Sequence, residues 1–183
     1  MDRNVEEKFQ LLNPQKTLEL LHLKLKEGII HKVSGITQKD TFYHVTNGRL
    51  KWRQINELNI NSYGPTYELI WYQREDKPDA KMSNFIRLPV DKNIEAAKLL
   101  LLNAHDIICE VHKERLVYMY GQTRIHFDHV MDLGRFVELE VVLNSDQNIE
   151  DGKKIINEIK TMLLLHEDKQ ISCAYADLLL NKK

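Results

Sequence analysis

Glu138 and Glu140 stand two residues apart in "RFVELEVVL" (residues 135–143), alternating with Val137, Leu139, Val141 and Leu143. In an extended strand alternate residues share a face, so both carboxylates point one way and the aliphatic side chains the other. Two acids on one face can hold a hard divalent cation; a solvated strand face has the same pattern. Cations repeat the arrangement elsewhere. Arg49, Lys51 and Arg53 share a face opposite Leu50 and Trp52, and Glu68, Ile70, Tyr72 and Arg74 share one opposite Leu69, Trp71 and Gln73. Lys113 and Arg115 lie with Val111 and Val117, and Arg124, His126 and Asp128 lie opposite Ile125 and Phe127. Arg and Lys match phosphate oxygens. Together, these residue types suit a polyphosphate and its divalent metal. The signs also segregate, with cations on the middle strands and acids on the first and last, whereas a merely solvated face intersperses them.

These side chains need strands to carry them. Residues 4–12 alternate as a strand, and a helix follows over 13–28, with Asn13 as cap, Pro14 in the first turn and Gly28 as the stop. "KDTFYHV" and "GRLKWRQI" form a hairpin around "TNG". "YELIWYQRE" and "NFIRLPV" are strands, separated by the loop "DKPDAKMS". A helix over 91–105, capped by Asp91, precedes three strands, "VHKERLVYMY", "TRIHFDHV" and "RFVELEVVL". An amphipathic helix over 148–168 and a short one in "CAYADLLLNK" end the chain. About eight strands in close succession, with helices interspersed, make an α+β chain with antiparallel pairing. Either the charged faces are wet, or the sheet closes into a barrel with helices outside and charge in its lumen. Such a lumen cannot be a dry core, because unpaired buried ions cost several kcal/mol each.

With 183 residues and 21.6 kDa, one domain spanning 1–183 is expected. Hydrophobic residues make up 43% and charged ones 29%, an ordinary globular balance. A net charge of -1 excludes a global field for nucleic acid or membranes. No apolar run is long enough to span a membrane. Cys109 and Cys173 lack metal-type spacing and point to a reducing, cytoplasmic setting.

The stretches "RNVEEKF", "QKDTFYHVTNGRLKWRQ", "YELIWYQRED", "KMSNF", "VHKERLVYMYGQTRIHFDHVMDLGRFVELEVV" and "AYADLLL" resemble, in this order, the CYTH family of triphosphate tunnel metalloenzymes. Within it the chain is most similar to the class IV adenylyl cyclase (CyaB-like) group. The resemblance implies an eight-stranded antiparallel barrel whose interior is the active site. The family signature E-x-E-x-K reads here Asn4-Val5-Glu6-Glu7-Lys8, so Asn4 replaces the first acid, and Glu7 lies on the other face. By resemblance, Glu6, Glu138 and Glu140 ligate Mg²⁺ or Mn²⁺, with Asp128 at the metal or the nucleophile. Lys8, Lys51, Arg53, Arg74, Lys113 and Arg115 hold triphosphate oxygens. Arg49 and Arg124 share that role or lie at a barrel mouth. His126, Lys81 and Ser83 are further candidates for touching the ligand, Tyr72 for shaping the pocket and Tyr175 for packing. The implied substrate is a small triphosphate: ATP, cyclised to cyclic AMP and pyrophosphate, or inorganic or thiamine triphosphate, hydrolysed. A tunnel that binds without turnover is the third possibility. A monomer or homodimer is expected.

Overall fold

The computed structural model describes residues 2–58, 64–74 and 81–182; the side chains of Asp2, Arg74, Lys81 and Met82 also lie outside the described residues. Among the described residues there are nine strands: β1 (Asp2–Gln10), β2 (His31–Tyr43), β3 (Arg49–Glu57), β4 (Thr66–Arg74), β5 (Lys81–Val90), β6 (Ile107–Tyr120), β7 (Thr123–Val130), β8 (Gly134–Val142) and β9 (Lys169–Ile171). The helices are α1 (Pro14–Lys26), α2 (Ile94–Ala104), α3 (Ile149–Met162) and α4 (Tyr175–Leu180). Strands pair in the order β5-β4-β3-β2-β6-β7-β8-β1, and β1 pairs again with β5, from Asp2↔Phe85 to Glu6↔Lys81. The result is a closed, eight-stranded antiparallel barrel. Closure removes the edges that an open sheet would expose. β9 adds a short pairing along the other end of β1, beginning at Lys8↔Ile171.

The outer faces carry the dry core. Val5 and Phe9 of β1, Ile125 and Phe127 of β7, and Val137, Leu139 and Val141 of β8 pack with Leu21 of α1 and Ile156 and Ile159 of α3. On the far side, Trp52 of β3 and Tyr43 of β2 pack with Leu101 of α2. These apolar faces therefore have helical covers, and the opposite faces point inward. α3 sits so close to β1 that a Cβ on its Gly152 would lie 2.6 Å from Val5 Cγ2. Glu7 falls on this outer face, where Lys160 of α3 meets its carboxylate at 2.9 Å.

Caps follow the residue types. Asn13 accepts from the Lys16 amide at 3.1 Å, and Asn148 and Asp151 form a capping box at the start of α3. Asp91 does not cap α2: Asn93 takes the N-cap position with φ of 54° and makes no side-chain cap bond. The β2–β3 turn needs Gly48, whose φ is +69° and whose added Cβ would lie 2.7 Å from the Trp71 indole nitrogen. Several boundaries differ from the sequence expectation. β2 begins at His31 instead of Lys39, and Lys81–Ser83 belong to β5 instead of a loop. Strand pairing across the barrel overrides weak local alternation in both places. The last long helix stops at Met162, after which Leu164 turns left-handed before β9. Parts of the expected loops at 56–65 and 76–83 lie outside the described residues. Among the described residues, no helix is long and apolar enough to cross a membrane.

Candidate functional site: a charged barrel lumen

Inward-facing residues of all eight barrel strands line one cavity of about 330 Å³. Asn4, Glu6 and Lys8 come from β1, and Gln38 and Asp40 from β2. β3 contributes Lys51 and Arg53, β6 Lys113 and Arg115, β7 Arg124 and His126, and β8 Glu138 and Glu140. Ser83 and Arg87 of β5 and Glu68 and Tyr72 of β4 complete the polar wall. The period of two therefore brings together nearly every residue that the sequence singles out. Arg74 and Lys81 lie in β4 and β5, but their side chains are outside the described residues.

The cations are paired with acids inside the barrel. Arg115 Nε and Nη2 donate to Asp128 Oδ1 and Oδ2, both at 2.6 Å, and Nη2 also lies 3.5 Å from Glu138. Lys8 Nζ approaches Glu138 at 3.7 Å, and Arg124 donates to Glu140 at 3.1 Å. Arg53 Nε and Nη2 donate to Asp40 at 2.8 and 3.0 Å, and Lys51 Nζ donates at 3.1 Å. Burial alone would raise the Asp40 carboxyl, but Arg53 and Lys51 hold it well below the usual carboxylate range. Burial likewise opposes ionisation of Glu138, and Lys8 and Arg115 win, keeping it well below that range. The lysines move the other way. Burial, then Arg115, brings Lys113 down to about 7, and burial, then Arg53, brings Lys51 down to about 8. Burial and Arg115 also lower His126, which sits 3.9 Å from both Glu138 and Glu140.

α4 lies over one end of the lumen. The Tyr175 hydroxyl donates to Asp128 at 2.9 Å, and its ring sits 4.0 Å from Lys8 Nζ and edge-on to Phe136. Arg49 is drawn to this end, where it donates to Asp177 of α4 at 2.9 Å. At the other end Arg124 is 39% exposed. It borders both the lumen and an adjoining cavity that holds Arg3. Asp128 is fully buried behind Arg115 and does not line the cavity. Its oxygens are committed to Arg115 and Tyr175. Gln38, Asp40 and Arg87 are polar lumen residues that sequence reading missed: a strand begun at Lys39 leaves Gln38 out, and Asp40 and Arg87 are single charges with no charged neighbour two residues along their strands.

The oxygen donors suit a hard divalent cation. Glu6 stands directly opposite Glu140 in the β1–β8 register. Asn4 donates its amide to Glu140 at 2.5 Å, while its own Oδ1 is buried without a hydrogen-bond partner. Glu6, Glu138, Glu140 and the Asn4 carbonyl oxygen thus form an all-oxygen set. Among the described residues no three acidic, histidine or cysteine side chains converge on one point. A cation must therefore compete with Lys8, Arg115 and Arg124 for these carboxylates.

A family model for the CYTH domain matches residues 2–175. Three solved structures share the architecture. One, from Pyrococcus horikoshii, has a TM-score of 0.79 at 18% identity, covering 98% of this chain and 99% of that one. A second, from Vibrio parahaemolyticus and provisionally named an adenylate cyclase, has a TM-score of 0.72 at 17% identity, covering 97% of both chains. The third is the Mimivirus capping enzyme triphosphatase, with a TM-score of 0.55 at 11% identity, covering 88% of this chain and 89% of that one. At these identities the likeness establishes the fold. No curated protein matches the chain.

Proposed function

Because the chain belongs to the CYTH domain family, we propose that it is a divalent-metal-dependent enzyme acting on a triphosphate held in its barrel lumen. The reaction we favour is class IV adenylyl cyclase-like: the ribose 3'-hydroxyl of ATP attacks the α-phosphorus, pyrophosphate leaves and cyclic AMP forms. The observation that carries this reading is the band of Lys51, Arg53, Lys113 and Arg115 sharing one cavity with Glu6, Glu138 and Glu140. Beyond the aspartates that clamp the arginines, carboxylates facing phosphates would repel them unless a cation lay between.

Lys51, Arg53, Lys113 and Arg115 bind phosphate oxygens and stabilise the charge that develops on leaving pyrophosphate. Lys8 adds charge from β1, and Arg124 meets the ligand at the mouth. Asp128 orients Arg115, as its two bonds at 2.6 Å indicate. Glu6, Glu138 and Glu140, with the Asn4 oxygen, would hold Mg²⁺ or Mn²⁺. When bound, that ion neutralises phosphate oxygens and polarises the attacked phosphorus.

Hydrolysis is the second reading, supported by the shared fold with a capping enzyme triphosphatase. Nearly the same residues serve both reactions, and the attacking group decides between them. Asn4 in place of an acid favours a third outcome, binding without turnover. Purified protein is incubated with ATP, inorganic triphosphate or thiamine triphosphate, each with Mg²⁺ and with Mn²⁺, and products are read by phosphorus NMR and chromatography. Cyclic AMP with pyrophosphate supports the cyclase reading. Orthophosphate makes the protein a triphosphatase, and tight binding without products leaves a binding tunnel.

A further inference from the structure

The lumen holds two Lys-x-Arg pairs, Lys51 and Arg53 on β3 and Lys113 and Arg115 on β6. A buried aspartate on the neighbouring strand serves each. Asp128 stands directly opposite Arg115 in the β6–β7 register, and Asp40 directly opposite Arg53 in the β2–β3 register. Both carboxylates grip the same edge of the guanidinium, Nε and Nη2. Nη1, with two N–H groups, is left outside the clamp in each arginine. Asp40 is itself held. Gln38, two residues away on the same face, donates to its Oδ2 at 2.9 Å, and Lys51 donates to the same oxygen at 3.1 Å. With 2% exposure and donors on both oxygens, this carboxylate is saturated. It has little capacity left for a metal or for a proton from substrate.

We propose that Asp40 is a positioning residue of the triphosphate site, orienting Arg53 and Lys51 toward the lumen as Asp128 orients Arg115, with Gln38 fixing Asp40 in place. This inference rests on the triphosphate reading of the lumen. Asp40 is itself an anion beside an anion site. As a mere counter-charge, its removal would tighten polyanion binding through the unmasked cations. As a positioning residue, its removal weakens binding, since Arg53 loses its bidentate clamp and must be ordered at the ligand's expense.

The test is calorimetric titration with inorganic triphosphate, without metal and with Mg²⁺, at about pH 6.5, where lysines with pKa near 7 to 8 are mostly charged. Circular dichroism and thermal melting establish which variants fold. Folded Asp40→Asn is expected to bind about tenfold more weakly, the scale of one charge-assisted contact. Equal or tighter binding overturns the proposal. In an Arg53→Ala background most of that effect should vanish, because it runs through Arg53; full additivity overturns the proposal, as it would mark a general structural role. Should Asp40→Asn fail to fold, Gln38→Met decides: it keeps the charge and frees the carboxylate to turn, and it should weaken binding by about threefold. Unchanged affinity in folded Gln38→Met then overturns the proposal. A wild-type chain that does not bind triphosphate overturns the triphosphate reading, and the inference with it. Tight wild-type binding with unaltered variants overturns the inference alone.

Discussion

Binding of a triphosphate should draw protons into the barrel. Lys113 and Lys51 have pKa values of about 7 and about 8, brought down chiefly by burial. At about pH 8, Lys113 is therefore roughly one-tenth charged and Lys51 roughly half charged. A polyanion against both favours their charged forms, so binding takes up about 0.9 proton at Lys113 and about 0.5 at Lys51. The sign is opposite for folding. Between these values and the ordinary lysine value of 10.5 the unfolded chain binds more protons, so these two groups make the unliganded protein more stable as pH rises. Triphosphate affinity instead falls as pH rises through the same range. Calorimetry in two buffers of different ionisation enthalpy measures the uptake directly. The ligand's own titration cancels on comparing wild type with Lys113→Met, which should take up close to one proton fewer. Identical buffer dependence in the two proteins would refute the placement of Lys113 in the binding band.

Three further perturbations test other parts of the structure. Glu138→Gln should abolish Mg²⁺-dependent turnover yet retain metal-free triphosphate binding in calorimetry; full turnover would remove Glu138 from the metal set. Asn4→Asp removes the amide that donates to Glu140 at 2.5 Å and sets two carboxylates side by side. Its melting temperature should fall without divalent cation and rise with Mg²⁺ by more than in wild type, and an Mg²⁺ shift equal to wild type would count against cation binding there. Gly152→Ala should destabilise by about 1–2 kcal/mol in denaturant titration, the clash with Val5 outweighing the gain in helix propensity. In a Val5→Ala background the same substitution should cost less but not nothing, because the residue-5 Cβ would still lie 2.8 Å from the new Cβ.

Much of the site was legible because a strand has a period of two. Lys51 and Arg53, Lys113 and Arg115, and Glu138 and Glu140 can only share a face once their segments are extended, and charge could not be buried with the aliphatic faces. The same rule placed Glu7 away from Glu6, and the structure puts Glu7 beneath α3 against Lys160. What alternation leaves open is where each strand begins. His31–Gln38 is strand because β6 pairs with it, from His31↔Met119 to Gln38↔Lys113, and its own residues alternate weakly. Gln38 escaped sequence reading for that reason, and Asp40 because it is a lone charge beside Phe42 on its face.

The sequence by itself determined which residues share a face, that those faces are charged, and the Asn13 cap that starts α1. The tertiary structure alone decided how the charges are partnered. Register sets Asp128 opposite Arg115 and Asp40 opposite Arg53, barrel closure brings β1 against β5 and β8, and α4 carries Tyr175 to Asp128. These are contacts between segments far apart in the chain. Which acid binds a guanidinium and which remains for a metal depends on distances of a few ångströms that no local spacing encodes.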